Sequence, residues 1–214
     1  MRPAAHKTSL LGRFLEAQNK PHGSYDEAMT EEIAAGQKQS CWIWYVCSRK
    51  CSDPGRHSAN ITTYQILSKQ EGVDYLLHPV LGERYRRGVQ LVSQHLRGEN
   101  PRNQPLHLAK VFNGFVDAKK YYHSVSTFAL ASVHGGLREW CVFFLYALRA
   151  IFESKLTTEQ EASVLMFGGS TSQVGVAEIT IPVEEWPVEQ LTEMLRFLSC
   201  ELMIAQWAAL RDTY

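Results

Sequence analysis

Apolar residues recur at helical spacing along most of the chain, and the breaks between them carry the usual stop signals. Leu10, Leu11, Phe14, Leu15 and Gln18 share one side of a short amphipathic stretch over 10–19. Ser24 and Glu27 form a capping box, in which each side chain can satisfy an orphan backbone N–H, and the helix they open stops near Gly36. Trp42, Ile43, Trp44, Tyr45 and Val46 are five bulky residues in a row, so they are buried on more than one side, as helix or as extended chain. A loop follows over 47–57. Residues 60–77 read as one broken helix or two short ones, interrupted near Gly72. Pro79 suits the first turn of the next helix, whose apolar side is Leu81, Tyr85, Val89, Val92 and Leu96, with Arg84, Arg86 and Arg87 mostly off that stripe.

A loop over 98–105, a short helix over 106–112 and a longer helix capped by Asp117 and running to about Ser132 come next. Gly135 and Gly136 break the chain before a strongly apolar helix over 137–152, and Thr157 with Gln160 starts another that ends near Gly168. Beyond Gly168 the texture changes. Residues 168–172 form a Gly/Ser joint, Val174, Val176, Ile179 and Ile181 suggest one β segment, and Pro187 begins a long helix reaching about Arg211. The pattern therefore predicts a mainly α protein: one compact helical domain over 10–168, then an extension over 169–214 of a short β segment and a helix. Its expected core includes Trp42, Trp44, Leu81, Tyr85, Phe128 and Phe143.

Composition narrows the class. The 214 residues are 45% hydrophobic and 11% aromatic, with 22 basic and 22 acidic side chains. That balance excludes a disordered chain and a uniformly basic nucleic-acid binder. The longest uncharged apolar run, 140–148, is far shorter than the roughly 20 residues of a membrane span, so no membrane partner is expected. The first fifteen residues have no apolar stretch of the secretory kind. Their acid-poor composition is shared with organellar presequences, and the cytoplasm is the expected location. Charge is uneven: eight basic residues and two acids lie over 84–120, against three basic residues and ten acids over 153–214. Two solvated faces explain this more simply than a patch awaiting an anion.

Candidate chemistry is sparse. No phosphate-binding loop, dinucleotide fingerprint, nucleophile elbow or zinc-protease helix occurs, and no catalytic residue is assigned. Cys41, Cys47, Cys51 and His57 are of the types that hold zinc, but their spacing is not that of common structural sites, so no metal or other cofactor is expected. His78, beside Pro79, suits a helix cap better than acid–base work. Trp42 and Trp44 suit core filling better than ring stacking.

One order of residues is more specific. It runs Phe14-Leu15-Glu16-Ala17-Gln18, Tyr25, then 36–45 with Trp42 and Trp44, then Ser58 and Tyr64. It continues through Tyr75-Leu76-Leu77-His78-Pro79-Val80-Leu81-Gly82-Glu83-Arg84 and ends with Asp117, Lys120, Ser124, Ser126 and Phe128. Over about 10–167 this resembles the mainly bacterial family catalogued as domain of unknown function 1810. The resemblance implies a compact all-α fold and brings no activity with it. The family pattern has His where Cys41 stands, Phe at Cys47, Pro at Ser48 and Gln at Arg49, so this chain is a divergent member.

Two functional readings follow. The preferred one is a non-catalytic interaction protein or subunit of a larger assembly. Its helix past Pro187 carries Leu191, Leu195, Leu198 and Leu202 on one side and Met203, Ile204, Trp207 and Leu210 on others. Met203, Trp207 and Leu210 would therefore meet a protein partner or a second copy of the chain. The alternative is an anion- or nucleotide-binding, enzyme-like domain. There Lys38, Arg84 and Lys120 would hold phosphate, Trp42 and Trp44 would stack a base, and His78, Ser124 and Ser126 would add polar contacts.

Overall fold

The computed structural model describes residues 4–20, 24–49, 63–154 and 186–199. Nine helices and no strand occur among the described residues. They are Ala4–Gln18 (α1), Glu27–Ile33 (α2, wound in the wider π manner), Ile43–Val46 (α3), Lys69–Leu77 (α4) and Leu81–Arg97 (α5). Leu108–Val111 (α6), Phe115–His134 (α7), Arg138–Glu153 (α8) and Val188–Leu198 (α9) complete them. The expected β segment over 174–181, the helix from Thr157, and Met203, Trp207 and Leu210 lie outside the described residues, as do Cys51 and His57. No described helix is long and apolar enough to cross a membrane.

Helix α7 is the centre. It pairs with α8 as an antiparallel hairpin through Gly135 and Gly136, and α4 crosses it on another side. The predicted stripe of α5 is buried along its whole length, from Leu81 to Leu96. Tyr85 sets its ring 4.4 Å from that of Phe128, and Tyr75 lies 4.8 Å from the same ring. This aromatic cluster, joined by Phe14 and Phe144, contributes both buried area and ring–ring geometry. The capping box at Ser24 forms as expected, each partner receiving the other's backbone N–H at 3.2–3.3 Å. At Gly36, φ is +86°, a conformation that ends the preceding helix and favours glycine.

Three expectations are corrected. Gly72 does not interrupt a helix: α4 runs through it, because a Cβ there would come within 2.7 Å of the Ala131 Cβ, and the missing side chain lets α4 lie close against α7. Asp117 does not cap α7, whose N-cap is Gly114. Asp117 sits inside the first turn and holds two lysines instead. Trp44 and Phe143, expected in the core, are half-buried at its edge. Each lies beside a cation, the Lys120 ammonium and the Arg86 guanidinium respectively. The described first half of the terminal helix packs by its apolar side, while Met203, Trp207 and Leu210, where a partner was expected, lie outside the described residues. Trp186, Leu191 and Leu195 are buried against α7 and α8, Tyr122 Oη donates to the Leu198 carbonyl, and Arg138 donates to that of Trp186 at 2.7 Å.

Candidate functional site

Segments far apart in sequence meet on the two sides of the short helix α3. On one side stands Gln18, at the end of α1 and 1% exposed. Its amide nitrogen donates to the Tyr45 carbonyl at 2.8 Å and to Tyr75 Oη at 3.1 Å, and its oxygen accepts from Arg84 Nη1 at 3.4 Å. Arg84 also donates to Asn19 Oδ1 at 2.8 Å, lies over the Tyr25 ring at 5.3 Å, and accepts the Tyr25 hydroxyl proton on its own carbonyl. One buried amide thus ties the Phe-Leu-Glu-Ala-Gln segment to the double-tryptophan segment and to both ends of the Tyr-Leu-x-His-Pro segment. Burial pushes the Tyr25 and Tyr75 phenols well above their ordinary range, so both stay neutral and act only as hydrogen-bonding groups.

On the other side charged groups and indoles alternate. The Glu32 carboxylate accepts from the backbone N–H groups of Gln39 and Ser40, the Ser40 hydroxyl, and Trp42 Nε1 at 2.7 Å. The Trp42 ring lies 5.5 Å from Lys38 Nζ. Lys38 Nζ is 2.7 Å from Asp117 Oδ2, Lys120 Nζ is 2.6 Å from Asp117 Oδ1, and Lys120 Nζ sits 3.6 Å from the Trp44 ring centroid. The order is therefore Glu32, Trp42, Lys38, Asp117, Lys120, Trp44. Local structure fixes it. Lys38 follows the Gly36 turn and is pinned by its N–H to the Val111 carbonyl at 2.7 Å, while Asp117 and Lys120 are one turn apart on α7. Burial would raise the carboxyls of Glu32 and Asp117. Hydrogen bonds from Ser40, Gln39 and Trp42, and from Lys120 and Lys38, more than offset it and hold both below the usual carboxylate range.

Beyond Trp44 lies a cleft lined by Trp44, Tyr64, Gln65, Arg49, Lys120 and Cys47. Arg49 and Tyr64 are held near each other by the Ile66 N–H, which donates to the Arg49 carbonyl at 3.0 Å. The Arg49 guanidinium also lies 3.2 Å from His123 Nδ1. Burial, then the charges of Arg49 and Lys119, drive the His123 imidazole down to about 4, so it is neutral at physiological pH. A second void, on the Arg84 side, is lined by Met29, Tyr85, Phe112, Tyr121 and again Cys47. Each void leaves room for about one water molecule. They flank Cys47, a small residue where the resembling pattern puts Phe. Its thiol is buried and pushed far up by burial first and by Asp117 second.

Of the residues named from sequence, Lys38, Trp42, Trp44 and Lys120 come together on the Asp117 side. Arg84 belongs to the Gln18 cluster. His78 receives the N–H groups of Val80 and Leu81 on Nδ1 at 3.2 and 3.3 Å, which caps α5. The Ser124 hydroxyl accepts from Tyr85 Oη at 2.8 Å and donates to the Ser48 carbonyl at 2.7 Å inside the core. Ser126 is buried, and its hydroxyl has no partner among the described residues. Cys41 is exposed and Cys47 buried, and no group of three metal-ligating side chains occurs among the described residues. Sequence reasoning missed Gln18, Glu32, Arg49, Tyr64 and Asp117 as members of these clusters. Gln18, Tyr64 and Asp117 already stood in the quoted motif order, which was the available signal. Glu32 and Arg49 carried none.

No functionally curated protein matches the chain. Among solved structures, it is similar to the conserved hypothetical protein Rv1873 from Mycobacterium tuberculosis. The identity is 25% and the TM-score 0.52, over 75% of this chain and 97% of that one. A family profile matches residues 8–159, a span that takes in every segment meeting at α3, and the chain accordingly belongs to the family described as Protein of unknown function (DUF1810).

Proposed function

We propose that the chain binds a small phosphate-type anion at the cleft beside Trp44, and that this binding, rather than a reaction, is what its geometry serves. The observation that carries the reading is the placement of Lys120. Its ammonium rides on the Trp44 ring at the mouth of a cleft that Arg49 and Tyr64 also line. Two cations offer charge-assisted hydrogen bonds to phosphate oxygens, and two half-buried rings flank them with apolar surface on which a nucleoside or similar flat group could rest. The cleft as it stands has room for about one water, so a ligand lies across its mouth rather than inside it.

Titration of the full chain with inorganic phosphate and with adenosine monophosphate, followed by calorimetry, tests the reading. Saturable binding is expected, weakened about tenfold or more by Lys120→Gln. Trp44→Ala should weaken adenosine monophosphate more than phosphate, because only the former presents a ring. Absence of saturable binding by either ligand, or binding indifferent to both substitutions, overturns it.

A further inference from the structure

We propose that the outward side of α8 is a contact between two copies of this chain, which lay their α8 helices antiparallel about a twofold axis at the level of Phe144. The inference is independent of the anion-binding reading above.

Helix α8 is apolar around more of its circumference than its own neighbours cover. α5, α7 and α9 pack against it, and Trp140, Phe144, Leu148 and Ile151 are buried among them. Val142, Phe143 and Tyr146 follow at helical spacing on the remaining side. Val142 and Phe143 are half-buried, and Tyr146 is 40% exposed. A surface helix carries polar residues on such a side unless something packs there.

Charge selects the occupant. Glu139, in the first turn of α8, is exposed and has no ion-pair or hydrogen-bond partner among the described residues. Arg149, one turn past Tyr146, is exposed as well. Its Nε lies 2.5 Å from Glu153 Oε1, which leaves the Nη donors for a second carboxylate. The apolar stripe therefore ends in an acid on one side and a base on the other, with Phe144 midway between them in the sequence. An antiparallel copy sets Glu139 of each chain against Arg149 of the other and Val142 against Tyr146, and it brings the two Phe143 rings beside the axis. Each contact then occurs twice, as an isologous interface requires. A parallel copy would set Glu139 on Glu139, and a partner of one charge sign would satisfy only one end. The chain has a formal net charge of zero, so two copies approach without net repulsion. One helix face is less than the roughly 800 Å² per partner of a standard interface, so the dimer is a weak, concentration-dependent one.

Sedimentation velocity of the full chain, from about 1 to about 300 μM, tests the contact. The average mass should rise with concentration toward twice that of one chain. Glu139→Arg sets two like-charge pairs across the axis and should weaken association about tenfold or more, as should Arg149→Glu. The two substitutions combined should restore it. Tyr146→Ser should weaken it with no change of charge. All three positions are exposed, so cooperative melting is expected to survive in each variant. Should a charge variant fail to fold, Tyr146→Ser carries the same measurement. A chain that stays monomeric throughout the range overturns the proposal. So does a dimer that is indifferent to Glu139→Arg and to Tyr146→Ser, or one that the combined swap leaves weakened, since its contact then lies elsewhere.

Discussion

The two sides of α3 use the same kinds of residue for opposite ends. Around Gln18 the bonds are made by a buried neutral amide and neutral phenols, with Arg84 contributing from the rim. Around Asp117 they are made between full charges backed by indole faces, near the surface. Neutral hydrogen bonds in a dry interior are costly to leave half-made but indifferent to salt and to pH. A partly exposed ion pair such as Lys120 with Asp117 responds to ions in solution, whereas the buried Lys38 depends on Asp117 as its counter-charge. The first arrangement fixes the chain's path; the second also answers to the solution around it. Residues of one family motif thus divide into those that hold α3 in place and those it presents.

The largest expected effect comes from the Gln18 side. Gln18→Ala leaves the Tyr45 carbonyl and the Tyr75 hydroxyl without their partner, at about 1–3 kcal/mol each, so a loss of about 3 kcal/mol or more is expected in urea unfolding. Phosphate binding by the surviving folded fraction should be unaltered. A loss below about 1 kcal/mol would show that Gln18 is replaceable and that the division between the two sides is false.

His123 lies between the two behaviours, being largely buried yet next to Arg49. Its folded pKa of about 4 is below the unfolded value of about 6.5, so the unfolded chain binds the extra proton first. Stability should therefore be fully present above about pH 6.5 and fall as pH drops toward 4, by an upper bound of about 3 kcal/mol. Denaturation midpoints measured across that window should lose this slope in His123→Gln. An equal slope in the variant would assign the pH dependence to other groups.

Smaller effects are expected on the Asp117 side. Trp44→Ala should cost about 1–2 kcal/mol, less than the roughly 3–5 kcal/mol of a fully buried tryptophan, because the ring is only half-buried. Thermal unfolding showing the full core cost would return Trp44 to the interior and weaken its part in the cleft. Lys120→Gln should change stability by no more than about 1 kcal/mol, as a rim ion pair does, while weakening phosphate. A larger destabilisation would make Lys120 a structural residue.

The helical spacing of Leu81, Tyr85, Val89, Val92 and Leu96 was enough to place α5 and its buried side, since one repeating pattern answers to one packing face. The same logic misread Gly72, because a glycine that breaks a helix and a glycine that admits a neighbouring helix look alike until the neighbour is known. Asp117 shows the limit for the site. Three residues into α7 it has the composition of a cap, and only the arrival of Lys38 from a distant turn makes it a counter-ion. Convergence of that kind is a property of packing and leaves no local trace. Cys47 is intermediate: its departure from a bulky residue was visible, and the voids on its two sides are the spatial consequence.

The docking of α9 bears on how the chain comes off the ribosome. Its bonds to the α7–α8 hairpin, Tyr122 to Leu198 and Arg138 to Trp186, close spans of 76 and 48 positions, and the helix lies beyond the 8–159 segment shared with the family. Synthesis proceeds from the amino end at about 5–20 residues per second. The hairpin is complete for several seconds before the helix that covers it has been made. Throughout that interval the apolar ground later shielded by Trp186, Leu191 and Leu195 faces the nascent-chain environment, where chaperones compete with aggregation for such surfaces. Slowing translation between residues 154 and 199 lengthens the exposure, and speeding it shortens it. The yield of folded protein is thereby coupled to codon choice in a stretch none of whose described residues lines the cleft.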